Sequence, residues 1–66
     1  MRRTSYTFQP FQNGKPTGTA EANCLNDADA RQTAQAMLRT FPQDDMVRFW
    51  IKGHPEAPFT CTRDEV

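Results

Sequence analysis

Long apolar runs are missing from this chain, and no segment approaches the roughly 20 apolar residues of a membrane-spanning helix. The opening, MRRTSYTFQPF, has two arginines with no apolar run behind them, so no secretory signal is expected and a cytoplasmic protein is. Net charge is missing as well. Eight Lys and Arg stand against eight Asp and Glu, which excludes a general polyanion binder. Cysteine is scarce: Cys24 and Cys61 are too few for a secreted disulfide scaffold. With His54 they fall short of a structural zinc ligand set and lack CxxC spacing. They read as buried, reduced thiols. Catalytic signatures are absent too. There is no Gly-rich phosphate loop, GxSxG or HExxH, and DADA (27–30) lacks the ligand repeat of an EF-hand. His54 sits in a Gly-His-Pro turn, and Asp27, Asp29, Asp44 and Asp45 read as cap and turn residues. No enzyme, cofactor or metal is expected.

What is present suits one small domain spanning residues 1–66. The charged fraction, 24%, and the hydrophobic fraction, 36%, are ordinary for a globular chain. A chain of this length buries only roughly 60% of the surface its unfolded form exposes, so its stability is marginal.

Periodicity supplies the elements. Residues 3–11 alternate, with Tyr6 and Phe8 on one face and Ser5, Thr7 and Gln9 on the other, which is a strand. Pro10 cannot donate to a ladder and marks an end, an edge or a bulge; a bulge would return Phe11 to the inner face. Asn13-Gly14 is a type I′ hairpin pair, although Pro16 and Gly18 point to a longer, less regular loop. Residues 19–25 place small Ala20, Ala22 and Cys24 inward, with room for a bulky element above them. That element is a helix over 26–41, capped by Asn26 or Asp27, with Asp27 and Asp29 in its first turn. Ala30, Ala34, Met37, Leu38 and Phe41 form its apolar stripe, and Phe41-Pro42 ends it. Arg31, Gln32, Gln35 and Arg39 fall on the solvent side. Residues 46–52 form a third strand with Val47, Phe49 and Ile51 inward. Residues 59–63 form a fourth with Phe59 and Cys61 inward, and the final DEV reads as a frayed end.

The predicted fold is therefore α+β: a four-stranded antiparallel sheet, ββαββ in chain order and 2-1-3-4 in space, with one helix on one face. Strands lie about 4.8 Å apart, so this order holds Cys24 and Cys61 roughly 14 Å from each other. A disulfide needs Cα atoms within about 7 Å, so none is expected.

The uncovered face collects hydroxyls and amides, as a solvated sheet face does, with one exception. Trp50 stands between Arg48 and Lys52, on a strand whose other side is core. One reading is local: Trp50 covers the stems of its neighbours, with Met46, Leu25 or Phe11 in a satellite cluster. A second is protein recognition, because Trp and Arg are enriched among interface hot spots. A third is single-stranded nucleic acid stacked on the indole, which Glu21 on the same face and the neutral net charge oppose. The element order fits neither an RRM nor a double-stranded RNA domain. Arg2 and Arg3 make at most a short basic arm. A homodimer through this face or an edge strand would also bury Trp50.

A small, neutral ββαββ chain without an active site resembles, in size and layout, the inhibitors that phages and mobile elements encode against host defence, anti-CRISPR proteins among them. The resemblance rests on element order over most of the chain and on no motif, so no residue roles carry over. It implies occlusion of a host protein or protein–nucleic acid complex, such as a Cas complex, by a rigid surface. DNA mimicry is not implied, since DNA mimics are strongly acidic. The residues expected to meet a partner are Arg48, Trp50 and Lys52, with Arg31 and Arg39 on the helix as a second patch.

Overall fold

The structure, a computed structural model, describes residues 3–66; Met1 and Arg2, and so part of the expected basic arm, lie outside the described residues. The elements are β1 (Thr4–Gln12), β2 (Lys15–Pro16), β3 (Ala20–Cys24), α1 (Asp27–Thr40), β4 (Met46–Ile51) and β5 (Phe59–Thr62). A 3₁₀ turn, Arg63–Glu65, follows. This is the expected α+β class: one helix on one antiparallel sheet. Among the described residues no helix is long and apolar enough to cross a membrane.

The sheet has five strands instead of four, and β2 and β3 share one flank of β1 while β4 and β5 follow on the other. The extra strand comes from a tighter turn than expected. Asn13 and Gly14 both take positive φ, 53° and 79°, the I′ geometry that Asn and Gly adopt readily. Gln12 therefore pairs directly with Lys15. The irregularity comes later, between β2 and β3. Phe11 pairs with Pro16 but Phe8 pairs with Ala20, so the two registers differ by one residue across the segment 17–19.

Pro10 faces this gap. Its carbonyl accepts the Thr17 N–H at 2.9 Å, so the donor it lacks would also have pointed away from β4. The β1–β4 ladder consequently runs from Tyr6↔Ile51 to Phe11↔Met46 without a bulge. Alternation then carries Phe11 to the face opposite Tyr6 and Phe8.

The core is a cross-strand row of aromatics under the helix. Phe8, Phe49 and Phe59 are register partners, with ring centroids 5.6 Å and 5.3 Å apart. Ala30, Ala34 and Leu38 press onto this row, and Met37 packs at its margin. Asn26 is the N-cap, its Oδ1 accepting the Asp29 N–H at 2.8 Å, while the Asp29 carboxylate accepts the Leu25 N–H at 2.9 Å. One of the donors that a helix start leaves orphaned, the Asp29 N–H, is thereby satisfied, and the Leu25 N–H ahead of the cap is paired as well.

Three core expectations need correction. Phe41 is 45% exposed. Pro42 disfavours helical backbone at the residue before it, so Phe41 caps the helix at φ −118° and ψ 85° and leaves the stripe. Ile51 is 37% exposed, because β5 begins opposite Phe49 and nothing flanks Ile51 beyond it. The small residues of β3 are covered only at the Cys24 end, with Ala20 exposed, since α1 lies chiefly over β4.

The C-terminus is not frayed. Arg63 donates from Nε to the Asp44 carbonyl at 3.0 Å, and from Nη2 to the carbonyls of Leu38 at 3.1 Å and Phe41 at 3.2 Å. Nη2 also meets the Asp44 carbonyl. One guanidinium thus serves acceptors that the end of α1 leaves open. Cys24 and Cys61 are buried and free, on strands at opposite flanks of the sheet.

Tyr6 reports on the junction of sheet and helix. It is buried, and its hydroxyl donates to Asp27 Oδ1 at 2.7 Å. Burial first, then the Asp27 hydrogen bond and charge, push its pKa up to about 12. A raised phenol pKa means that this contribution to stability is complete below the unfolded value, near 10, and is lost as pH rises through about 12. Tyr6 is the sole tyrosine, so ultraviolet titration should give a single midpoint well above 10 in the native protein and near 10 in urea. Coincident midpoints would remove the buried contact with Asp27.

Candidate functional site

The face that α1 leaves open is set by the β1–β4 register. Phe11 lies opposite Met46, Gln9 opposite Arg48, and Thr7 opposite Trp50. Outside β1, Glu21 lies opposite Thr7 and Asn23 opposite Ser5. Outside β4, Thr60 lies opposite Arg48 and Thr62 opposite Met46. Phe11, Met46 and Trp50 are each half-buried although no element crosses this face, so neighbours within the face cover them.

The two cations beside Trp50 are already engaged elsewhere. The Arg48 guanidinium lies 5.1 Å from the centroid of Phe11, a cation–π contact. Lys52 Nζ reaches Glu21 Oε2 at 3.0 Å, and both side chains are more than half exposed, so the pair adds little stability. Arg48 faces no carboxylate within ion-pair distance among the described residues. The face therefore consists of an apolar row, Phe11 and Met46, then an uncompensated arginine, then Trp50, bounded by a neutralised Lys52–Glu21 pair.

Arg31 and Arg39 do not join this group. Arg39 is exposed on α1. Arg31 folds over the outer edge of the sheet, its guanidinium 5.7 Å from the Phe49 centroid. Its Nη1 donates to the Thr60 carbonyl at 3.1 Å and to Glu65 Oε1 at 2.6 Å. Glu65 Oε2 in turn accepts the Thr62 N–H at 3.0 Å. The Thr62 hydrogen bond, then Arg31, hold the Glu65 carboxyl below the usual carboxylate range against an opposing effect of burial. One ion pair thus occupies two outward-pointing backbone groups of the edge strand β5. Exposed edges invite pairing with other chains, and here the edge is blunted.

His54 lies exposed in the loop before β5, 3.3 Å from Glu56. Burial pushes the Cys61 thiol up, away from the thiolate form that acts as a nucleophile. Among the described residues no three His, Cys, Asp or Glu side chains are grouped to hold a metal ion.

The sequence leaves the face of Phe11 open and marks Asp44 as a turn residue. Phe11 belongs to the open face, and uninterrupted alternation through Pro10 is the signal that finds it. Asp44 is buried, with 4% of its surface exposed, and is not merely a turn residue. It lines an open cleft of about 240 Å³ with Pro10, Thr17, Phe41 and Gln43 at the C-terminal end of α1. Local sequence carries no signal for that, because the cleft joins three separate segments. Comparison with protein-family models, curated proteins and solved structures finds no match to this chain.

Proposed function

We propose that this chain is a small, non-catalytic, cytoplasmic binding module that docks on a protein partner through its open sheet face and occludes the surface it covers. The observation that carries this reading is the grouping of Trp50, Phe11 and Met46 around Arg48 on a face that no element of the chain covers. A sheet fixes these side chains before binding, which lowers the ordering cost of an interface. Trp and Arg are the residue types that most often dominate interface energies. The partner surface that fits is an apolar recess for the indole next to a carboxylate for Arg48. A phage-type inhibitor of a host defence complex, of the anti-CRISPR kind, is the role that suits such a module. Single-stranded nucleic acid is the second reading, favoured by two aromatics, Phe11 and Trp50, with a cation between them in sequence register.

Capture experiments with wild type and Trp50→Ala, with and without nuclease, separate the two. A protein retained by wild type after nuclease and lost with Trp50→Ala supports the first reading. The expected loss is about 2 kcal/mol or more of binding, roughly thirtyfold in Kd, with little change in folding stability. Retention of nucleic acid alone, with affinity falling steeply as salt rises, transfers the role to the second reading.

A further inference from the structure

The cleft at the C-terminal end of α1 is separate from the open face: Pro10 contributes to it from the helix side of β1, and Phe41 is the helix cap. We propose that this cleft is a binding site for the cationic side chain, lysine or arginine, of a partner protein. The structure supplies an acid at its base. Asp44 is almost wholly buried, yet only one of its carboxylate oxygens has a hydrogen-bond partner among the described residues: Oδ1 lies 3.2 Å from Thr17 Oγ1. The Thr17 hydroxyl also lies 3.3 Å from the Pro10 carbonyl and has a single proton to share between them. Among the described residues no fully buried side-chain oxygen lacks a partner, so the unpaired Oδ2 keeps some contact with solvent, and Asp44 lines the cleft. Arg63, a neighbouring cation, spends its donors on the carbonyls of Asp44, Leu38 and Phe41 and forms no ion pair with this carboxylate.

The walls match the rest of a long cationic side chain. Phe41 stands 45% exposed at the rim, an aromatic surface for a cation to lie against. Pro10 offers an apolar ring for methylene groups, which Lys and Arg bury while their charge stays satisfied. A carboxylate, an aromatic face and an apolar wall in one recess select a cation on an alkyl stem over an anion or a neutral apolar group.

The test uses the isolated protein, so it stands apart from any result for the open face. Nα-acetyl-lysine methylamide and Nα-acetyl-arginine methylamide are titrated against ¹⁵N-labelled protein, with the norleucine analogue as the neutral control. Millimolar, saturable shifts confined to the backbone amides of Thr17, Phe41, Gln43 and Asp44, absent with norleucine, are expected. Asp44→Asn, which keeps an acceptor for Thr17, should weaken binding at least tenfold. Phe41→Ala, at an exposed position, should weaken it several-fold and serves if Asp44→Asn does not fold. Equal shifts with norleucine, shifts centred elsewhere, or no saturable shifts at all overturn the proposal.

Discussion

Phe49→Ala is expected to leave little folded protein. Phe49 has no exposed surface and lies in the central aromatic row, with Phe8 on one side and Phe59 on the other. Removing a buried phenyl ring costs about 3–5 kcal/mol, partly as lost transfer energy and partly as the cavity left behind. A chain of this length has a total stability of roughly 3–10 kcal/mol, so the loss is comparable with the whole. Collapse around the cavity is restricted, because the neighbouring rings are held by strand register and α1 is anchored at both ends. Urea denaturation followed by circular dichroism measures the effect. The adjacent residue gives the control: Trp50→Ala, on the other face, should change stability far less. A near-neutral Phe49→Ala together with a strongly destabilising Trp50→Ala would invert the two faces of the sheet and withdraw the proposed interface.

The second large effect is expected at Arg63, the fourth-last residue of the sequence. Its guanidinium reaches carbonyls at the end of α1 and in the turn before β4, and its own N–H donates to the Asp45 carbonyl at 3.2 Å. A hydrogen bond to a charged group is worth about 1.5–3 kcal/mol, and bonds sharing one donor group are not additive. Arg63→Ala should therefore cost about 2–3 kcal/mol in total. Arg63→Lys should recover part of that, because an ammonium still meets the negative end of the helix but lacks the planar fork. Chemical denaturation of both variants checks the order. A change within about 0.5 kcal/mol, as for an ordinary surface residue, would mean that the terminal turn is an ornament of the fold and not a clamp.

Much of the architecture is legible in local pattern. Alternation in 3–11 and 46–52 assigns Tyr6, Phe8, Val47 and Phe49 to the core, because successive strand side chains must point to opposite faces. The alanine-rich stripe and the Asn26 cap place the helix, since both depend on residues within one or two turns. The grouping of Arg48, Trp50 and Lys52 on one face follows from the same period of two. These statements need only the chain's own geometry.

Other features depend on where an element ends relative to its neighbours, which no local pattern encodes. Ile51 and Val47 are equivalent by alternation, yet Ile51 is exposed because β5 starts two residues too late to flank it. Phe41 continues the helical stripe in sequence, but the backbone turn before Pro42 takes it out to the rim of the cleft. Arg31 reads as a solvent-side cation until Glu65 and the Thr60 carbonyl are placed beside it, 34 and 29 residues away along the chain. Side-chain period and capping chemistry, which act over a few residues, placed the helix, four of the five strands, most of the core and the grouping of Arg48, Trp50 and Lys52 from sequence alone. Only the tertiary structure decided which arginines are free, what ties down the C-terminus and where a buried aspartate opens into a cleft, because these are contacts between segments that meet only once the sheet and helix have packed.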